Sequence, residues 1–269
     1  MIKNNKLLID RDCPMCRIYG TAFTHLKWID QNTVNYYQSC PTSYSEEIDM
    51  DRAKSEIAFH NPQSGKTKYG IDAFIEILWE GKMARILKLP PIYWLAKKVY
   101  RFISFNRKVI APSRKSGHGN NCAPQLHKGY RYLYLVISIL LFGLGLNFLW
   151  KAIPRFSNEI GWLGHVALSI LPFFCQYLAL LISRSKEKLE HLGNMATVSN
   201  IGVLMFLPAF FISQILNLPA IYLIIALSLI AVITFKEIRD RTAILQQTSV
   251  LNLSWALGYL FTFLTPFWS

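Results

Sequence analysis

Two cysteines three positions apart, Cys13 and Cys16, stand in the stretch Asp10-Arg11-Asp12-Cys13-Pro14-Met15-Cys16. A short apolar run, Leu7 to Ile9, precedes them, and Cys16, Tyr19, Phe23 and Leu26 recur at helical spacing, so the pair sits where a strand turns into a helix. That spacing and context suit dithiol–disulfide exchange. Cys13 would occupy the exposed N-cap, where free backbone N–H groups and the helix dipole favour a thiolate. Cys16, one turn on, would lie beneath it and close a disulfide. Pro14 fits the first helical turn, since its missing N–H is unneeded there and its φ is already helical.

Asp10 is the third candidate catalytic residue. It either ends the strand by accepting turn N–H bonds, or is a partly buried carboxylate that takes the Cys16 proton during exchange. Asp10 and Asp12 would raise the Cys13 pKa, whereas the helix terminus, Arg11 and Arg17 would lower it. Two further readings of the cysteines stay open. They are structural, or they are half of a zinc site completed from His118, Cys122 or His127, there being no second CxxC. No metal and no cofactor is assigned. Cys40, before Pro41, is read as a bystander rather than an extra resolving thiol.

The elements that must position the dithiol come in a simple order. Strands are expected over 6–10, 33–37 and 56–60, with helices over 14–30, around Tyr44–Ile48, and over 70–80. Asn61-Pro62-Gln63-Ser64-Gly65 supplies hairpin turn chemistry, with Lys66 to Tyr69 as the returning strand. This β-α-β then β-β-α order is that of a small thioredoxin-like or glutaredoxin-like α/β domain.

The motif resembles the Asp-x-x-Cys-x-x-Cys signature of the DCC family of predicted thiol–disulfide oxidoreductases. Further family-like blocks stand at Gly70-Ile71-Asp72-Ala73, Ala84 to Pro91, Tyr100-Arg101 and Asn106-Arg107, so the resemblance runs over about residues 6–125. It implies a thioredoxin-like fold and dithiol redox chemistry on a protein or small-molecule disulfide. Two positions depart from what the resemblance implies. Arg11 stands where a glycine is expected. Ala53-Lys54-Ser55 stands before the third strand, where thioredoxin-like proteins usually carry a cis-proline opposite the dithiol; Pro62 falls in the hairpin instead.

The second half has a different composition. Of 29 Lys+Arg and 16 Asp+Glu in 269 residues, 20 and 11 fall within residues 1–128. The rest of the chain carries about five apolar segments, near 131–150, 160–183, 198–216, 218–235 and 249–268, each near the ~20 residues of a helical span. The domains expected are therefore 1–80, a thioredoxin-like core; 81–128, basic interfacial helices and a linker; and 129–269, an all-α transmembrane bundle. Lys and Arg gather before span 1 and between spans 2 and 3 and spans 4 and 5, which puts the N-domain in the cytoplasm and the C-terminus outside. The first ten residues contain no signal-peptide-like apolar stretch, in keeping with that orientation in a bacterial plasma membrane.

Residues 81 to 131 hold twelve basic side chains and no acidic one. With the apolar face of 92–103, this is the pattern of an interfacial segment on anionic lipid. Nucleic-acid binding is the competing explanation of the charge and is set aside, because the run leads straight into a span. No Asp, Glu, Lys or Arg is expected inside a span, which argues against an ion- or proton-coupled transporter. Cys175 alone cannot relay electrons across a bilayer, so the bundle would anchor the domain or dock an unknown membrane partner. The rival to the oxidoreductase is a non-catalytic membrane interaction module.

Overall fold

The computed structural model describes residues 5–39, 47–53, 55–78, 81–112, 126–152, 161–185 and 187–264. The chain divides into two compact units, 1–130 and 131–269.

The first unit is built on a four-stranded mixed sheet. Its elements are β1 (Lys6–Ile9), α1 (Pro14–His25), β2 (Val34–Tyr36), α2 (Met50–Ala53), β3 (Ala58–Asn61), β4 (Lys66–Tyr69), α3 (Ile71–Ile77), α4 (Lys82–Leu87) and α5 (Pro90–Ile110). The strand order is β2-β1-β3-β4. β1 pairs parallel with β2, Leu7 facing Val34, and antiparallel with β3, Leu7 facing Phe59. β3 and β4 close an antiparallel hairpin with Ala58 opposite Tyr69. A parallel β-α-β half joined to an antiparallel β-β-α half is the thioredoxin-like arrangement expected from the sequence.

β1 is central because it is apolar on both faces. Leu7 and Ile9 join Phe23, Ile57, Phe59, Ala73 and Ile77 in one core, to which Cys13 and Cys16 also belong. Leu8 points the other way, against Ile48, Ala53 and Ala58. Such a strand has one workable register, since a one-residue slip would exchange its two faces. The expected helices are shorter: α1 stops at His25, after which Lys27 takes a positive φ of 56° and ends the run. The short helix expected around Tyr44–Ile48 is not helical at its described residues, 47 and 48, and a short helix stands instead at Met50–Ala53; residues 44–46 lie outside the described range. Gly70 opens α3 at φ 58°, ψ −128°. A Cβ there would meet Glu56 Oε2 and the Tyr100 ring at 3.0 Å each, so both backbone and packing require glycine.

α5 is fastened to the sheet side of this unit. The Tyr93 hydroxyl donates to Asp72 at 2.9 Å, the Ile57 N–H donates to the Tyr100 hydroxyl at 2.9 Å, and the Ser104 hydroxyl bonds the Ser55 carbonyl. Phe74 stands edge-on to Tyr19, Phe23 and Tyr100, at 5.4, 5.1 and 5.9 Å between centroids, joining α1, α3 and α5.

The second unit is helical: α6 (Lys128–Lys151, entered just before the unit boundary), α7 (Trp162–Ile182), α8 (Lys188–Ile215), α9 (Ala220–Ile244) and α10 (Val250–Leu264). Four of these, α6 to α9, are long and apolar enough to cross a membrane. The fifth apolar segment forms a helix of 15 residues, roughly 22 Å at 1.5 Å per residue and short of a ~30 Å hydrocarbon core.

Helices α6, α8 and α9 run past their apolar stretches and take charged residues into the packed bundle, which the apolar-run boundaries did not anticipate. Arg131 is 2 % exposed and its guanidinium lies 3.4 Å from Glu190; Arg241 is 3 % exposed and bonds Glu237 at 2.8 Å and Asn194 at 3.0 Å. His191 bridges Gln176 at 3.0 Å and Gln247, while the Gln176 amide donates to the Leu251 carbonyl at 2.9 Å. Thr242 and Asn252 add a bond of 2.7 Å. These residues start α6, α8 and α10 and end α7 and α9, so in an alternating bundle they form one polar layer. Buried polar groups of this kind bond across helices because water is absent.

Candidate active site

The site forms where β1 hands over to α1. Asp10 leaves the strand, its buried carboxylate accepting the Asp12 N–H at 2.9 Å and the Gln38 side-chain amide. Arg11 needs no glycine-like conformation, since it is not among the positive-φ residues. Its N–H donates to Gln38 Oε1 at 3.1 Å and its guanidinium lies 4.7 Å over the Tyr36 ring. The unexpected residue is thus held against β2 and the turn after it, directed away from the role of lowering the Cys13 pKa.

Cys13 is the N-cap of α1, at φ −82° and ψ 114°, with Pro14 in the first turn. The Arg17 N–H donates to its carbonyl at 3.1 Å, the first bond of the helix. Its position is the one expected; its exposure is not. Cys13 is 6 % exposed and Cys16 3 %, because both thiols pack into the apolar core under β1 and β3. Both are free and hydrogen-bonded to each other.

That bond splits their acidities. The Cys13 thiol is pulled down to about 6, above all by the Cys16 thiol donating to it. The Arg107 charge and the Cys16 backbone N–H act in the same sense, against burial and the Asp10 carboxylate. Cys16 is pushed up by the bond it donates, by burial and by the neighbouring Cys13 thiolate. At neutral pH the pair is therefore one thiolate and one thiol.

A cavity of about 30 Å³ adjoins Cys16 and is walled by Met15, Tyr19, Ile57, Tyr100, Ile103, Ser104 and Arg107. Arg107 is 6 % exposed. Tyr100, Ile103, Ser104 and Arg107 recur at helical i, i+3, i+4, i+7 spacing, so a single face of α5 forms half of the wall. Burial raises the pKa of both Tyr19 and Tyr100 and keeps them neutral donors or acceptors. Ile57, which precedes β3 beside the dithiol, has its N–H engaged by Tyr100.

Sequence reasoning placed Arg107 and Tyr100 in a basic interfacial segment and missed them as neighbours of the dithiol. The available signal was their common helical face. Gln38, which holds Asp10, had no signal in the sequence.

The other candidates separate from this site. Cys40, His118 and Cys122 lie outside the described residues. His127 packs against Tyr130 and Phe105, at 4.7 and 5.2 Å between centroids, and its Nδ1 accepts the Tyr130 N–H at 3.3 Å. Among the described residues no group of three or more His, Cys, Asp or Glu side chains is gathered as for a metal ion. Cys175 is half-buried within α7. The helical unit has its own cavity, about 990 Å³, walled mostly by hydrocarbon from α6, α8, α9 and α10, with Lys236 and Arg239 also on its lining. Among the described residues no cysteine lines it.

No curated protein and no solved structure matches the chain. Residues 7–111, from β1 through the end of α5, match the family model of DCC1-like thiol-disulfide oxidoreductases.

Proposed function

We propose that the chain is a membrane-anchored thiol–disulfide oxidoreductase in which Cys13 is the nucleophile, Cys16 the resolving thiol and Asp10 the proton acceptor. The observation that carries this is the geometry of the pair: Cys13 stands at the N-cap of α1, and its thiol is hydrogen-bonded by that of Cys16 one turn on, which lowers the Cys13 pKa.

The Cys13 thiolate attacks one sulfur of a substrate disulfide. A Cys13–substrate disulfide forms, the substrate S–S bond breaks, and the other substrate sulfur leaves as a thiolate. With Cys13 no longer charged, the Cys16 pKa falls, because both the hydrogen bond and the like-charge penalty that raised it are gone. Cys16 gives its proton to the Asp10 carboxylate, directly or through water, and attacks Cys13 Sγ. The Cys13–Cys16 disulfide forms and the second substrate sulfur leaves, taking up a proton. Two electrons pass from the dithiol to the substrate. The reverse sequence oxidises a substrate dithiol, and the depressed Cys13 pKa favours that direction by stabilising the reduced enzyme.

The same proposal sets the domain in the cytoplasm and the C-terminus outside. The start of α6, the α7–α8 connection with Arg184 and Lys188, and the end of α9 with Lys236, Arg239 and Arg241 gather the basic residues on one side. External placement of the C-terminus requires the 15-residue α10 to cross with its flanking residues.

One observation favours a second reading. Cys13, 6 % exposed, is as buried as a packed structural thiol, and in that case the bundle would dock a partner and the domain would be non-catalytic. Site-resolved alkylation of the reduced full-length protein separates the two. The redox reading expects Cys13 to react faster than Cys16, Cys40 and Cys122, with a half-maximal rate near pH 6, the pH at which its thiolate forms. A Cys13 rate no greater than that of Cys40 across the pH range supports the structural reading. Protection of both Cys13 and Cys16 by added zinc alone points to a metal site.

A further inference from the structure

The outward side of α4 and the first half of α5 carries a surface unlike the rest of the first unit. Met83, Ile86, Leu89, Trp94, Leu95 and Val99 are large, apolar and 47 to 62 % exposed. Between them Lys82, Arg85, Lys88 and Lys98 are also exposed. Along α5, Leu95 and Val99 stand one turn apart, as do Trp94 and Lys98, so apolar and basic side chains share a face. The opposite face is committed inward through Tyr93, Tyr100 and Ser104. The exposed stripe is therefore held rigidly outward, and a run of this kind marks a contact with something apolar.

We propose that this surface docks on an anionic lipid bilayer. Charge complementarity selects that occupant: the exposed cations of this surface are Lys82, Arg85, Lys88 and Lys98, and neither α4 nor α5 contains an acidic residue, whereas a protein-binding patch mixes signs or excludes charge from its centre. One lysine of the stripe also has interfacial geometry. Lys98 lies 5.7 Å over the exposed Trp94 ring, its apolar stem along the aromatic face and its ammonium group able to reach phosphate. Among the described residues four helices have membrane-spanning length and apolarity, so a bilayer is at hand. The match to the DCC1-like family runs through α4 and α5, making the surface part of the domain. The contact is independent of the dithiol chemistry.

The test uses the full-length protein in nanodiscs, with a photoreactive diazirine amino acid in place of Leu95. A second protein carries it in place of Ile18, which is 65 % exposed on α1 and serves as the reference. Discs are made of phosphatidylcholine alone or with added phosphatidylglycerol, and lipid adducts are counted by mass spectrometry. The expected result is lipid adduct at position 95 at least about threefold above position 18 in anionic discs, reduced by high salt and by Lys88→Gln with Lys98→Gln. Unchanged Cys13 alkylation in these variants shows that the domain is folded. Lipid adduct at 95 no greater than at 18 overturns the proposal, as does adduct formation with protein instead of lipid. Equal adduct in both lipids, insensitive to the lysine substitutions, overturns the choice of an anionic surface.

Discussion

Arg107 is the cation whose charge lowers the Cys13 pKa, so removing it tests the electrostatic account of the site. Arg107→Met keeps a long apolar stem against the cavity wall and deletes the charge. A nearby opposite charge moves a pKa by ~1–3 units. Taking the low end, the Cys13 thiol rises from about 6 to roughly 7. At about pH 6 the thiolate fraction then falls from ~0.5 to ~0.1, while each thiolate becomes ~2.5 times more nucleophilic, given a Brønsted slope of ~0.4. The net exchange rate with a small disulfide drops about twofold at pH 6 and rises about twofold at pH 8, where both forms are mostly ionised. The change therefore reverses sign between these pH values. The assay is stopped-flow exchange across that range on the reduced protein, with mass spectrometry confirming that Cys13 carries the adduct. Arg107→Lys keeps the charge and should lie between the two. A variant whose pH midpoint equals that of the parent refutes the assignment of Arg107. A uniform rate loss at every pH would mean that Arg107 acts through packing.

Other expectations rest on the same geometry. The folded-state pKa of Cys13 lies below that of an unfolded thiol, so the reduced domain gains stability as pH rises from about 6 toward ~8.5 and loses it as pH falls through about 6. Cys16, with its pKa raised, opposes this only above the unfolded thiol value. Hydrogen-exchange protection of β1 and α1, corrected for intrinsic rates, should follow that trend, and Cys13→Ala should flatten it. Gly70→Ala forces a side chain onto φ 58° and against Glu56 and Tyr100; a loss of about 1–3 kcal/mol should appear as faster exchange in β4 and α3. Tyr100→Phe leaves the Ile57 N–H without its 2.9 Å acceptor, a cost of about 1–3 kcal/mol visible as a lowered thermal midpoint of the domain. In the helical unit, Gln176→Leu deletes its bonds to His191 and Leu251 and should lower stability in detergent by about 0.6–2 kcal/mol.

What was legible in the sequence was whatever local chemistry decides. The apolar run Leu7–Ile9 broken by Asp10, Pro14 at a helix start and Asn61–Gly65 between two short strands each dictate their own backbone, and with them the β-α-β, β-β-α order. Long-range partners were not legible. Arg107 reads as one more cation in a basic run, and only the packing of Tyr100 and Ser104 against the sheet turns its face toward Cys16. The burial of Cys13 is likewise a tertiary result, set by the core between β1, β3 and α1. Arg131 and Arg241 lie at the margins of apolar runs, where composition marks a loop; their helices continue because Glu190, Glu237 and Asn194 are within reach to pair them.

The central claim, that Cys13 attacks and Cys16 resolves, is tested most directly by trapping. The full-length Cys16→Ser protein, expressed in its own membrane and quenched with acid before non-reducing electrophoresis, should accumulate reducible adducts through Cys13. Cys13→Ser and the double variant should show none. Equal adducts from Cys13→Ser, or none from Cys16→Ser while a small disulfide also leaves Cys13 unmodified, would contradict the account.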